Sequence, residues 1–162
     1  MNNSVLIVLP LLACIVFSPV SKADIVQNSN NHGIKKSSFN LSSQKWKNRV
    51  LLVFAPSVDN HSYQQQMQLL QAHNSNFADR DLILVQVLAT ESYANRQPID
   101  KSSAAKLRDR FGVEKENFRL ILVGKDGGVK RSDATPVQAK AIFEEIDAMP
   151  MRQQEMQERG RK

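Results

Sequence analysis

Ser57, Asp59 and His61, at alternate positions of one short segment, are the residue types of a hydrolytic relay of nucleophile, carboxylate and imidazole. Their spacing argues against that chemistry, because three residues of one short loop rarely reach the relayed geometry a triad requires. The same residue types form turns and cap helices, and the sequence predicts that simpler role for them. His61 and His73 are separated by most of a predicted helix, His32 stands in a polar leader, and no Cys/His cluster accompanies them, so no metal site is expected. Gly127-Gly128 precedes a strand rather than a helix and makes no phosphate-binding loop. No catalytic residue, metal or cofactor is expected from these patterns.

Cys14 is the chain's single cysteine. It lies in an apolar run from Val5 to Val20 that is followed by Ser21-Lys22-Ala23, a small-x-small site of the kind signal peptidases cut. Cleavage of residues 1–23 as a signal peptide would start the mature chain at Asp24, without a disulfide or a thiol nucleophile. Leu11-Leu12-Ala13-Cys14 loosely resembles a lipoprotein box. Leu12 is unusual there, however, and the apolar run continues through Ile15, Val16 and Phe17. The expectation is export to the periplasm or cell exterior; the lesser alternatives are a lipid anchor through Cys14 and an uncleaved membrane anchor, because Met1-Asn2-Asn3-Ser4 carry no Lys or Arg.

The elements that would position any site follow from the hydrophobic pattern. A chain of 162 residues, 41% hydrophobic and 23% charged, has the size and composition of one ordinary globular domain. Residues 24–44 are polar and lack apolar periodicity, which predicts a flexible leader. Val50-Leu51-Leu52-Val53-Phe54-Ala55 reads as a strand buried on both faces. Tyr63, Met67, Leu70 and Phe77 share one face of a helix, with Ser62-Tyr63-Gln64-Gln65 in capping-box form. A strand is predicted from Leu82 to Leu88 and a long loop from Ala89 to Lys101. A helix follows from Ser102 to Phe111, stopped by Gly112, and then a strand from Phe118 to Val123. After the Lys125-Asp126-Gly127-Gly128 turn, Val129-Lys130-Arg131 makes a basic edge strand. Thr135, Pro136 and Gln138 predict the start of a last helix with Ala139, Ile142, Phe143 and Ile146 buried and Pro150 as its end. Residues 45–150 then form the domain and residues 151–162 a charged tail.

The resulting α/β order, βαβ-α-ββ-α, is that of a thioredoxin-like fold: a central four-stranded mixed sheet with flanking helices. Four stretches carry a resemblance that supports it. They are Arg49 to Ser57, Leu107 to Val113, Leu120 to Gly128 and Ile146 to Arg152. Across residues 46–152 the chain resembles the domain-of-unknown-function 4174 family, which comprises short exported bacterial proteins and domains of vertebrate extracellular-matrix proteins. The resemblance implies a thioredoxin-like, peroxiredoxin-related fold without an assigned activity.

In thioredoxins the attacking thiolate sits at the turn between the first strand and the first helix, where the helix end lowers its pKa. Aligned on Phe54, this chain places Asp59-Asn60-His61-Ser62 there, with no thiol at either sulfur position. The proline that precedes the third strand in those folds is also missing near Asn117-Phe118. Disulfide reductase, isomerase and cysteine peroxidase activity are therefore not expected. Asp59 is expected to cap the first helix or nearly so, and to keep phosphate and sulfate away from it.

The formal charge of +6 becomes +5 without Lys22. An exported basic protein meets anionic partners, but here the basic residues are scattered, and no aromatic-basic motif points to nucleic acid. The sequence therefore predicts a non-redox binding or interaction module for an envelope or extracellular protein or an anionic glycan. Its candidate binding residues are Ser57, Asp59, Asn60, His61, Ser62 and Tyr63. The alternative is an enzyme of cysteine-independent chemistry at the same turn.

Overall fold

The structure, a computed structural model, describes residues 36–161. The predicted signal, Cys14, His32 and the first part of the leader lie outside the described residues.

A strand that is apolar at successive positions must be covered on both faces. β1 (Arg49–Phe54) is buried at all six residues and occupies the sheet interior. β2 (Leu82–Val87) runs parallel to it, in register from Arg49 with Leu82 to Phe54 with Val87. On its other side β5 (Arg119–Val123) runs antiparallel and pairs in turn with β6 (Val129–Asp133) at the sheet edge. β3 (Ser92–Ala94) and β4 (Gln97–Ile99) add a small hairpin beyond β2, giving the order β4-β3-β2-β1-β5-β6. The mixed α/β sheet with flanking helices is thus as expected, with six strands rather than four. The hairpin lies in what the sequence presented as a loop. Its three-residue strands are too short for periodicity to show, and Pro98 is tolerated because β4 is an edge strand.

The alternation along the central strands divides the core into two layers. Leu51, Val53, Ala55, Leu120 and Leu122 pack with Tyr63 and Leu70 of α1 (His61–Leu70) and with Ile142, Phe143 and Ile146 of α4 (Ala139–Asp147). On the opposite face Val50, Leu52, Phe54, Val85 and Ile121 pack with Leu107 of α3 (Lys101–Phe111) and with Leu41. α3 ends at Gly112, whose φ of 61° needs the left-handed conformation that glycine adopts without strain.

The predicted long first helix is two. The chain turns after Leu70, where the His73 N–H donates to the Leu70 carbonyl at 3.2 Å, and resumes as α2 (Asn74–Asp79). Phe77 still reaches the core, edge-on to the Phe143 ring at 5.8 Å. The cap of α4 shifts from Thr135 to Gln138. Buried Gln66 explains this: its side-chain amide takes the Val137 N–H at 2.7 Å and donates to the Val137 carbonyl at 3.0 Å, holding that residue out of the helix.

Both ends of the domain differ from expectation. Residues 36–44, assigned to the leader, are held in place. The Ser37 N–H donates to the Pro98 carbonyl and the Asp100 N–H to the Ser37 carbonyl, both at 3.0 Å, and Leu41 is buried in a 3-10 turn (Leu41–Gln44). Pro150 opens a helix rather than ending one. In place of a charged tail stands α5 (Pro150–Arg159), whose Arg152 is 3% exposed and bound to Asp79 and Asp147. Among the described residues no helix is long and apolar enough to cross a membrane.

Candidate functional site

The turn between β1 and α1 is held from below by an arginine. Arg108 Nη2 donates to the carbonyls of Ala55 at 3.0 Å and Val87 at 2.9 Å, and Nη1 donates to the Glu114 carbonyl at 2.9 Å. One buried guanidinium therefore fastens the C-terminal ends of β1 and β2. Burial lowers its pKa from the ordinary arginine value, and nearby Glu116 and Glu114 oppose that shift. Nothing in the residue pattern distinguishes Arg108 from the exposed Arg110, because only the packing of α3 under the strand ends separates them.

Above this base the six candidate residues divide. Asn60, not Asp59, caps α1: its Oδ1 accepts the Tyr63 N–H at 3.1 Å. Asp59 is exposed and has no side-chain hydrogen bond among the described residues, so its expected capping role is overturned. Ser62, taken in the sequence as the capping-box serine, already lies inside the helix. His61 is the first helical residue and is exposed. No side-chain hydrogen bond joins Ser57, Asp59 and His61 among the described residues, so the relay geometry is not built. Tyr63 points away from them. It is 8% exposed, and its hydroxyl donates to Gln86 Oε1 at 2.6 Å, with burial raising its pKa.

Tyr63 is the one candidate that opens onto a groove of about 900 Å³ between α1 and α2 on one side and β2 with the hairpin turn on the other. The helical side brings Gln64, Met67, Gln68 and Gln71, and the sheet side brings Leu84, Gln86, Asn95 and Arg96. Asn95 and Arg96 form the two-residue turn of the hairpin with φ of 46° and 67°. Both are left-handed, as such a turn requires, and arginine pays for it in strain that asparagine largely avoids. The sequence reading missed these residues, although Gln64, Gln68 and Gln71 at helical spacing were its available signal. The candidates Ser57, Asp59, Asn60, His61 and Ser62 do not line the groove.

Residues 40–155 match the sequence profile of a family described as Domain of unknown function (DUF4174). The chain belongs to this family. Both the β1–α1 turn and the groove fall within the DUF4174 region. A curated relative, coiled-coil domain-containing protein 80 of Danio rerio, is 29% identical over 133 residues, covering 72% of this chain and 15% of the relative. The DUF4174 chain thus spans a small part of that protein's length. Among solved structures it is similar to a reduced 2-Cys peroxiredoxin of Plasmodium vivax, with a TM-score of 0.54 and 14% identity over 72% of this chain and 85% of that one. It is also similar to thioredoxin peroxidase I of Plasmodium yoelii, with a TM-score of 0.55 and 18% identity over 70% of this chain and 79% of that one. At these identities the likeness establishes a thioredoxin-like fold and no activity.

What the site offers chemically is hydrogen bonding. Its turn carries no thiol, and its groove combines neutral amides with apolar side chains.

Proposed function

We propose that this chain is an exported, thiol-independent binding domain on a thioredoxin-like scaffold. The observation that carries the reading is the replacement of a reactive turn by a structural one. Asn60 caps α1 where a thiolate would be activated, while the open, polar-apolar surface lies one helix face away at Tyr63. Export rests on the apolar run ending at Ser21-Lys22-Ala23, and removal of that segment would take Cys14 with it.

The protein produced from the full chain and recovered after secretion tests each part. Its intact mass should correspond to a start at Asp24; a diacylglyceryl group on Cys14 or a retained apolar run would overturn free export. It should neither reduce insulin disulfides nor consume peroxide with thiol electrons, and activity above the buffer blank would refute the reading. Saturable ligand binding should survive substitution of Asp59 and His61 and weaken with substitutions in the groove. Turnover that collapses on changing Asp59 or His61 would instead return the function to the turn.

A further inference from the structure

We propose that the groove between α1 and β2 binds an uncharged oligosaccharide, an inference that rests on the binding-domain reading above. Gln64, Gln68 and Gln71 follow one another at helical spacing along the groove wall, and Gln86 and Asn95 supply amides from the sheet side. Among the described residues the side-chain amides of Gln64, Gln68 and Gln71 make no intramolecular hydrogen bond. Each thus presents a donor and an acceptor together. Gln86 and Asn95 are partly committed. The Tyr63 hydroxyl occupies Gln86 Oε1, and the Leu84 N–H donates to Asn95 Oδ1 at 3.3 Å, which fixes both amides and leaves their NH₂ groups as donors.

Between these amides, half-buried Met67, Phe77 and Leu84 give the groove apolar ground. A sugar ring has the complementary surface: apolar C–H faces edged by hydroxyls that both donate and accept. The lining's charges do not favour an ionic ligand. Its carboxylate, Asp81, is paired with Lys125 at 2.8 Å, and Arg96 stands as a single guanidinium where an anionic polymer needs a row of cations. An extended peptide would seek the backbone edge of β2, but at Leu84 that edge is taken, since the Asn95 N–H donates to the Leu84 carbonyl at 2.9 Å. The volume, about 900 Å³, lies toward the upper end of small-ligand pockets, which run to about 1,000 Å³, and admits more than one ring.

The side-chain NH₂ resonances of the full-length protein provide the test. Hexasaccharides of glucose, of mannose and of N-acetylglucosamine are titrated separately to millimolar concentration, beside a sulfated hexasaccharide and an uncharged octapeptide. At least one neutral sugar should produce saturable shifts at Gln64, Gln68 and Asn95. The double variant Gln64→Ala, Gln68→Ala should weaken that binding by about tenfold or more with an unchanged melt, both residues being exposed on the helix. No saturable shift with any of the three, shifts confined to residues outside the groove, or preference for the sulfated sugar would overturn the proposal. If only the peptide moves these resonances, the oligosaccharide assignment fails while the binding-domain reading stands. Thiol-dependent peroxide turnover would defeat that reading whatever the sugars do.

Discussion

Gln66 acts as a surrogate strand neighbour for Val137, pairing with both its N–H and its carbonyl at a position with no solvent exposure. A buried backbone group left without a partner costs roughly 1–3 kcal/mol, and removing this amide orphans two. Gln66→Ala should therefore lower stability by about 2–6 kcal/mol in urea melts; an unchanged midpoint would mean that Val137 finds other partners. Asn60 offers a graded contrast at the N-terminal end of the same helix. Asn60→Ala should cost about 0.5–2 kcal/mol, as lost caps do, while exposed Asp59→Ala should stay within about 0.5 kcal/mol. The reverse order in denaturant melts would restore the cap to Asp59.

At the scale of elements, α5 is the piece whose charges matter most to the fold. Glu155 accepts from Arg49 at 3.1 and 3.2 Å and from Lys125 at 2.8 Å, and Arg49, 1% exposed, also donates to the Arg80 carbonyl at 2.8 Å. Arg152 joins α5 to Asp147 at 3.2 Å and to Asp79. A solvated tail could be deleted without consequence, but ending this chain before Pro150 strips a buried arginine of its countercharge. Glu155→Gln alone should cost about 3 kcal/mol, because breaking a buried pair leaves the partner's charge uncompensated.

The same contacts set a pH dependence. Burial works against ionisation of Asp147 and of Glu155. Hydrogen bonds from Arg80 and Arg152 to the first, and from Arg49 and Lys125 to the second, outweigh it, so both pKa values fall below the ordinary carboxylate range. With the folded pKa below the unfolded one, the unfolded chain takes up protons first as the solution is acidified. The stability these groups confer is whole at neutral pH and drains away below about pH 4. Urea melts from pH 7 to pH 3 should show that loss, and Glu155→Gln should flatten it; a slope identical in the variant would remove Glu155 from the account.

For the whole molecule, the sheet order predicts a gradient of protection. β1 has paired neighbours on both sides and no exposed residue, whereas β4 and β6 are edges. Amide hydrogen exchange should therefore be slowest along β1 and β5 and fastest along β6 and the β3–β4 hairpin. Ser37 should exchange more slowly than an unpaired leader residue, because its N–H is bound to Pro98. Fast exchange throughout β1 would contradict the central placement on which the two-layer core depends.

The sequence determined the parts that depend on local pattern. The continuous apolar run at Val50 to Ala55 allowed only a strand covered on both faces, and Gly112 had to stop α3 because few other residues adopt its backbone. Ala139, Ile142, Phe143 and Ile146 had to face inward together once helical. The absence of a thiol after β1 was legible in the same way, since it requires residue identity and nothing more. Only the tertiary structure decided what depends on partners distant in the chain. Thr135 and Pro136 are good local signals for a helix start, yet Gln66, 71 residues before Val137, holds that residue extended and delays α4. Polar Arg49, Arg108 and Arg152 become interior because carbonyls and carboxylates from other elements meet them there. The groove belongs to this second class: its glutamines stand on one helix, but their facing partners, Gln86 and Asn95, come from β2 and the hairpin turn, and only the parallel pairing of β1 with β2 brings them opposite.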